Sequence, residues 1–254
     1  MSLLQVRDIS VQFGGVVALD GLSFDIGEGQ VCALIGPNGA GKTTLFNVVS
    51  RIYDPSRGTL DFDGRDLLST SPHRIAELGI SRTFQNLALV PGLSVLDNVL
   101  VGAHIRVKGG FLAGALRLPH SLSSESENRR RAVELLSRLG LSDVADHPCA
   151  GLPYGTLKRI ELARGLASEP RLLMLDEPAS GLTHGEVDEL SALIRSLPGD
   201  FGVTVLLVEH HMGMVMGISD DVVVLDFGRK IAQGEPTEVA KDPLVIEAYL
   251  GGSG

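Results

Sequence analysis

Gly36-Pro37-Asn38-Gly39-Ala40-Gly41-Lys42-Thr43-Thr44 fits the spacing G-x-x-x-x-G-K-[ST], a loop between strand and helix that wraps the phosphates of a nucleoside triphosphate. Gly36, Gly39 and Gly41 let the backbone turn tightly and aim successive N–H groups at phosphate oxygens. Lys42 has the reach for the β- and γ-phosphates, and the Thr43 hydroxyl is placed to ligate Mg²⁺. The flanks agree with this reading. The apolar run 31–35 predicts a strand leading in; Leu45, Val48, Val49 and Ile52 predict an apolar helix face leading out. That helix would begin near Lys42 and add the positive end of its dipole to the anion site.

Working outward, 254 residues suffice for one large α/β unit or two small ones with a substantial core. A hydrophobic content of 44% with 21% charged residues is that of an ordinary globular chain. The net charge of −9 argues against broad nucleic-acid binding, which works by neutralising phosphates. One triphosphate is a different matter, because a glycine loop and one lysine make their own local field. With only Cys32 and Cys149, neither a disulfide framework nor a cysteine metal site is expected, and a reducing cytoplasm suits the chain. The first residues lack a secretion signal, and no run reaches the roughly 18 to 20 apolar residues of a membrane helix. A membrane span, if needed, must come from other chains.

The pattern along the chain predicts β-rich segments at 4–13, 17–25 and 30–35, then at 58–62 and 80–85. From about 87 to 159 the character changes to helical, a subdomain inserted in a single unit spanning 1–254. Within it Ser124 and Glu127 fit a capping box, and Val133, Leu135, Leu136 and Leu139 form an apolar face ending at Gly140. Alternation then resumes. Runs at 172–176 and 203–209 read as buried parallel strands around a helix at 186–197 with Val187, Leu190 and Ile194 on one face. A strand at 222–225, a turn at 226–229, another β segment and a short amphipathic helix to Leu250 complete the chain.

Leu172-Leu173-Met174-Leu175-Asp176-Glu177 is an apolar strand ending in two carboxylates, and strand ends are where open α/β sheets place ligands. Alone it could simply start a turn. Behind a phosphate loop it gives Asp176 to the Mg²⁺ shell, through water, and Glu177 to polarising a water for attack on the γ-phosphate.

With these residues assembled, the chain resembles, end to end, the ATP-binding subunit of an ABC transporter. The resemblance implies an α/β P-loop ATPase core with an antiparallel β portion and a helical subdomain, using ATP and Mg²⁺. It implies nucleotide contacts from Asn38, Gly39, Ala40, Gly41, Lys42, Thr43 and Thr44. Gln85, in Arg82-Thr83-Phe84-Gln85-Asn86, matches the family glutamine that contacts Mg²⁺ and the attacking water. Phe13 stands where an aromatic stacks on adenine, with Ala18 beside it; Phe13 reads equally well as a half-buried strand aromatic. His210 matches the histidine that bonds the γ-phosphate, with His211 as the competing choice. Pro178–Thr183 follows the carboxylates where the family has its D-loop, though Thr183 replaces an aspartate.

The signature segment departs further. Where the family has Leu-Ser-Gly-Gly-Gln, this chain has Leu152-Pro153-Tyr154-Gly155-Thr156, followed by matching Arg159, Glu161, Ala163 and Arg164. Tyr154 and Gly155 would complete a partner's ATP site. This Leu-x-Tyr-Gly form, Arg-Thr-Phe-Gln-Asn-Leu at 82–87, the run 95–102 and the tail 245–251 resemble one ATPase of importers for branched-chain amino acids and related substrates. The run 109–116 resembles an insertion of that group, serving either its own subdomain or a partner. Arg129-Arg130-Arg131 reads as a solvated helix face.

The partners so implied are a second ATPase, identical or different, and two membrane-spanning permease subunits, with an extracytoplasmic solute-binding protein acting indirectly. The chain would sit peripherally on the cytoplasmic face of the cell membrane. Export or lipid-extraction ATPases, and soluble ABC proteins of ribosomes or DNA repair, share the chemistry. The acidic charge and the single ATPase unit disfavour the soluble kind.

Overall fold

The computed structural model describes residues 2–83, 87–104 and 119–250. Among these, strands β1 (Ser2–Phe13), β2 (Val16–Gly27), β3 (Val31–Ile35), β4 (Arg57–Phe62) and β5 (Arg65–Asp66) precede β6 (Ile80–Arg82). Later come β7 (Leu172–Asp176), β8 (Thr204–Val208), β9 (Asp221–Asp226) and β10 (Arg229–Gly234). The helices are α1 (Lys42–Val49), α2 (Val95–Ala103), α3 (Pro119–Arg138), α4 (Tyr154–Leu166) and α5 (His184–Phe201), then α6 (Met212–Ile218), α7 (Pro236–Val239) and α8 (Pro243–Leu250).

The described strands make two sheets. One is antiparallel, in the order β2-β1-β4-β5; the other runs β10-β9-β3-β8-β7-β6, parallel except where β10 meets β9. Strands β3, β7 and β8 are buried at every residue, as a parallel sheet covered on both faces requires. Their alternation sorts the core. Cys32, Leu34, Met174, Leu206 and Val208 face α1 and, across it, Leu4, Val6, Leu22 and Phe24 of the antiparallel sheet. On the opposite face Val31, Leu173, Leu175, Val205 and Leu207 pack with apolar residues of α2 to α6. A third cluster joins Ile35, Val222 and Val224 to Val215, Val239 and Val245 of α6 to α8.

Several expectations are corrected here. The helix expected to begin at Ser124 begins at Pro119, so Ser124 is no N-cap; Glu127 instead pairs with Arg130 (2.6 Å) and Arg131 (2.9 Å), while all three arginines stay exposed as expected. Val133 points outward, and Ala132 joins Leu135, Leu136 and Leu139 on the buried face. The face after the phosphate loop stops at Val49, and Ile52 is exposed. The helix expected at 186–197 spans His184–Phe201, running through Pro198 to Gly202, whose positive φ closes it. The β segment expected at 80–85 is described as a strand only over Ile80–Arg82; Gln85 and the run 109–116 lie outside the described residues.

The sheet order does the positioning. Because β3, β8 and β7 are neighbours and parallel, their carboxyl ends deliver three segments to one edge: the loop after Ile35, Glu209-His210 after Val208, and Glu177 after Asp176.

Candidate functional site

The loop after β3 is held by close backbone approach. A Cβ at Gly36 would lie 2.1 Å from the Leu225 carbonyl oxygen, and one at Gly41 would lie 2.6 Å from that of Ala18. Gly41 has φ 100° and stands as N-cap of α1, whose first turn carries no acidic residue. The free N–H groups of that helix start therefore face an uncontested anion position. Asn38 and Gly39 are exposed, Ala40 and Lys42 are buried, Thr43 is exposed and Thr44 half-buried. The Lys42 ammonium donates to the carbonyls of Gly36 (2.6 Å) and Pro37 (2.9 Å), curling back over its own loop. Burial lowers the Lys42 pKa, and the nearby charges of Glu177 and Asp176 push it back up. The loop and the strand-end carboxylates thus share one electrostatic field.

Asp176 is 7% exposed and paired with Arg82 at 2.9 Å. Arg82 also donates to Asn47 Oδ1 at 2.8 Å, tying β6, α1 and β7 together. Glu177 takes φ 48°, which turns the chain sharply off the strand. Its Oε1 lies 2.6 Å from Nε2 of His210. Glu209 enforces this meeting. Its buried carboxylate accepts the N–H groups of Ala179 (2.7 Å), His210 (2.9 Å) and His211 (3.2 Å), clamping the segments after β7 and β8 to each other. His211 is directed elsewhere: Nδ1 accepts the Met214 N–H at 3.4 Å, and its ring packs near that of His184.

Phe13 ends β1 46% exposed, with Tyr53 edge-on to it at 5.0 Å between centroids. Ala18 meets the loop through its backbone, beside Gly41. Tyr154 and Gly155 are not in this group. They open α4: Gly155 lies against Glu186 in the first turn of α5, and a Cβ on Gly181, in the segment before that helix, would touch the Tyr154 ring at 3.0 Å.

Lys42, Asp176, Glu177 and His210 are brought together as the sequence suggested. Arg82, Glu209 and Tyr53 were missed. Glu209 had a legible signal, since it directly precedes His210 at a strand end; Arg82 and Tyr53 act across contacts that no local pattern announces.

For Mg²⁺ the residues present fit. A hydroxyl (Thr43) at a helix start and one carboxylate (Asp176) at a neighbouring strand end, within the field of Lys42, suit an ion that keeps several waters and takes the rest of its shell from phosphates. Both cysteines are free and buried, and burial raises the Cys32 thiol well above its ordinary pKa, which removes it from thiolate chemistry.

The chain is similar to known proteins over nearly its whole length. A family model described as ABC transporter matches residues 19–180, and one described as branched-chain amino acid ATP-binding cassette transporter matches residues 229–254. The chain is 42% identical over 249 residues to the high-affinity branched-chain amino acid transport ATP-binding protein BraF of Pseudomonas aeruginosa, covering 98% of each chain. Identity to LivG of Salmonella typhimurium, of the same description, is 41% with the same coverage. A crystal structure of the ADP conformation of an ATP-binding cassette of an ABC transporter superposes with TM-score 0.85 at 31% identity, covering 99% of both chains.

Proposed function

Since the chain belongs to the ABC transporter family, we propose that it powers an importer of branched-chain amino acids or chemically related small substrates. It is an ATP-binding, ATP-hydrolysing subunit. The observation that carries the import reading is the likeness to BraF and LivG across nearly the whole chain, including the tail 229–254. No helix among the described residues is long and apolar enough to cross a membrane. In this reading permease subunits supply the span, and this chain docks on their cytoplasmic side.

In this reading Lys42 and the N–H groups of 39–44 hold the triphosphate, and Phe13 offers its exposed ring to adenine. Thr43 and Asp176, together with Gln85, would hold Mg²⁺, which would draw charge from the phosphates. Glu177 takes the proton of the attacking water, and His210 bonds the γ-phosphate. In the free chain these two hold each other at 2.6 Å, and a γ-phosphate would compete with Glu177 for His210. His210→Ala should depress steady-state ATP hydrolysis at least about tenfold, whereas His211→Ala, which only loses a helix cap, should stay within about twofold. A reversed order would move the assignment to His211.

Two such ATPases face head to tail, each nucleotide lying between one chain's Lys42 loop and the other's α4 start. ATP favours the closed pair, and hydrolysis releases it, which drives the permeases between their two states. Pro153 at the α4 N-cap offers no side-chain hydroxyl, so this chain's signature lacks one hydrogen bond to the partner's γ-phosphate. That bond is worth about 0.5–1.5 kcal/mol net. A second, different ATPase with a full signature therefore completes the Lys42 site here. The test is ATP-driven uptake of leucine, isoleucine and valine into proteoliposomes. The two-ATPase assembly should transport, while an assembly with this chain as its only ATPase should run several-fold slower. Full uptake from the single-ATPase assembly would defeat the pairing, and absence of uptake of all three amino acids in either would defeat the substrate class.

A further inference from the structure

A carboxylate of the same chain lies beside the start of α4. Glu186 stands in the first turn of α5, and its Oε2 accepts the N–H (2.9 Å) and the hydroxyl (2.8 Å) of Thr183, the cap of that helix. The other oxygen, Oε1, points at Gly155: a Cβ built there would lie 2.6 Å from it, and 3.1 Å from the carboxyl carbon. The carboxyl is held charged chiefly by the two Thr183 donors, with smaller contributions from the Gly155 N–H and the Arg159 guanidinium. Tyr154, ring against Gly181, closes the same joint from the other side. The two oxygens thus divide the work: one caps α5, and the other lies against Gly155 at the start of α4, a helix of 13 residues.

We propose that Glu186 is a latch on the signature segment, its carboxylate standing at Gly155 in the place that a partner's γ-phosphate must take. The proposal rests on the reading that the α4 start completes a partner's ATP site. A carboxylate and a γ-phosphate repel at contact distance, so both cannot hold one helix start. Closure over ATP requires the Glu186 carboxylate to swing off Gly155. The latch raises the ATP concentration at which the free chain closes, and whatever rotates α4 against α5 on docking lowers it. The missing serine hydroxyl fits this arrangement, because a helix start without a side-chain cap is open to a carboxylate from the neighbouring helix.

The test uses the full chain carrying Glu177→Gln, which keeps bound ATP, and follows ATP–Mg²⁺-driven self-association by sedimentation. Adding Glu186→Gln, which preserves shape and removes the charge, should strengthen association at least about fivefold. Nucleotide affinity of the dilute monomer should stay unchanged, because Lys42 and its loop are untouched. Thr183→Ala weakens the same α5 cap but leaves the carboxylate in place, so it should give no such gain. No gain from Glu186→Gln, or an equal gain from Thr183→Ala, overturns the latch. Adding Gly155→Asp to the Glu186→Gln variant separates the two ideas. Abolished association with no earlier gain removes the latch alone, whereas association indifferent to Gly155→Asp removes the underlying reading of α4.

Discussion

Lys42→Ala should leave a folded protein that no longer binds ATP tightly. The ammonium is the only side-chain cation in the loop and sits in the field of Asp176 and Glu177. In the free chain it satisfies itself on the Gly36 and Pro37 carbonyls. On the proposed reading those bonds are traded for phosphate oxygens when nucleotide arrives. Without Lys42, two carboxylates face a triphosphate with no cation of the loop between them. Each charge-assisted hydrogen bond contributes about 1.5–3 kcal/mol, so losing two corresponds to a rise in Kd of at least about a hundredfold. Fluorescent-nucleotide titration reads this directly, with circular dichroism to confirm folding. Near-wild-type affinity would remove Lys42 from the phosphate site.

Glu177→Gln should do the opposite to binding and more to turnover. The amide keeps the shape of the side chain, and its carbonyl oxygen can still accept from His210 Nε2 when that nitrogen is protonated. What disappears is the capacity to take a proton from water. ATP should bind as before or more tightly, since one negative charge has gone from the edge of the site. Hydrolysis should fall at least about a hundredfold, the usual scale for losing a general base. Single-turnover kinetics with radiolabelled ATP separates the two effects. Turnover within a few-fold of wild type would show that another group takes the proton.

Contiguity in the chain decided what could be read without a structure. The phosphate loop is nine consecutive residues whose chemistry is local, so strand, turn and helix were all legible around it. Asp176 and Glu177 were legible because a continuous apolar strand announces its own end. Arg82 was not. Its importance comes from reaching Asp176 and Asn47, residues 94 and 35 positions away, through pairings that only the sheet order creates. Ser124 misled because its spacing to Glu127 suits a cap equally well inside a helix, where the glutamate finds Arg130 and Arg131 instead. Val133 misled because an apolar residue next to a helical stripe is not thereby within it, and an isolated exposed valine costs little. Gly155 read as half of a motif for a partner; that its own chain's Glu186 reaches it depends on how α4 and α5 cross.

The strand beneath the phosphate loop pairs only with late arrivals. β3 is made within the first 35 residues, yet its two neighbours in the sheet, β8 and β9, span Thr204–Val208 and Asp221–Asp226. Gly36 is seated against Leu225, and the Gly228 N–H donates to Ala40 at 3.1 Å. As the chain leaves the ribosome, the loop sequence is present almost from the start but has no sheet to stand on until about residue 228 has emerged. Such long-range pairing is slow to form and leaves apolar edges waiting. The nucleotide cradle is therefore among the last parts of this molecule that can be completed.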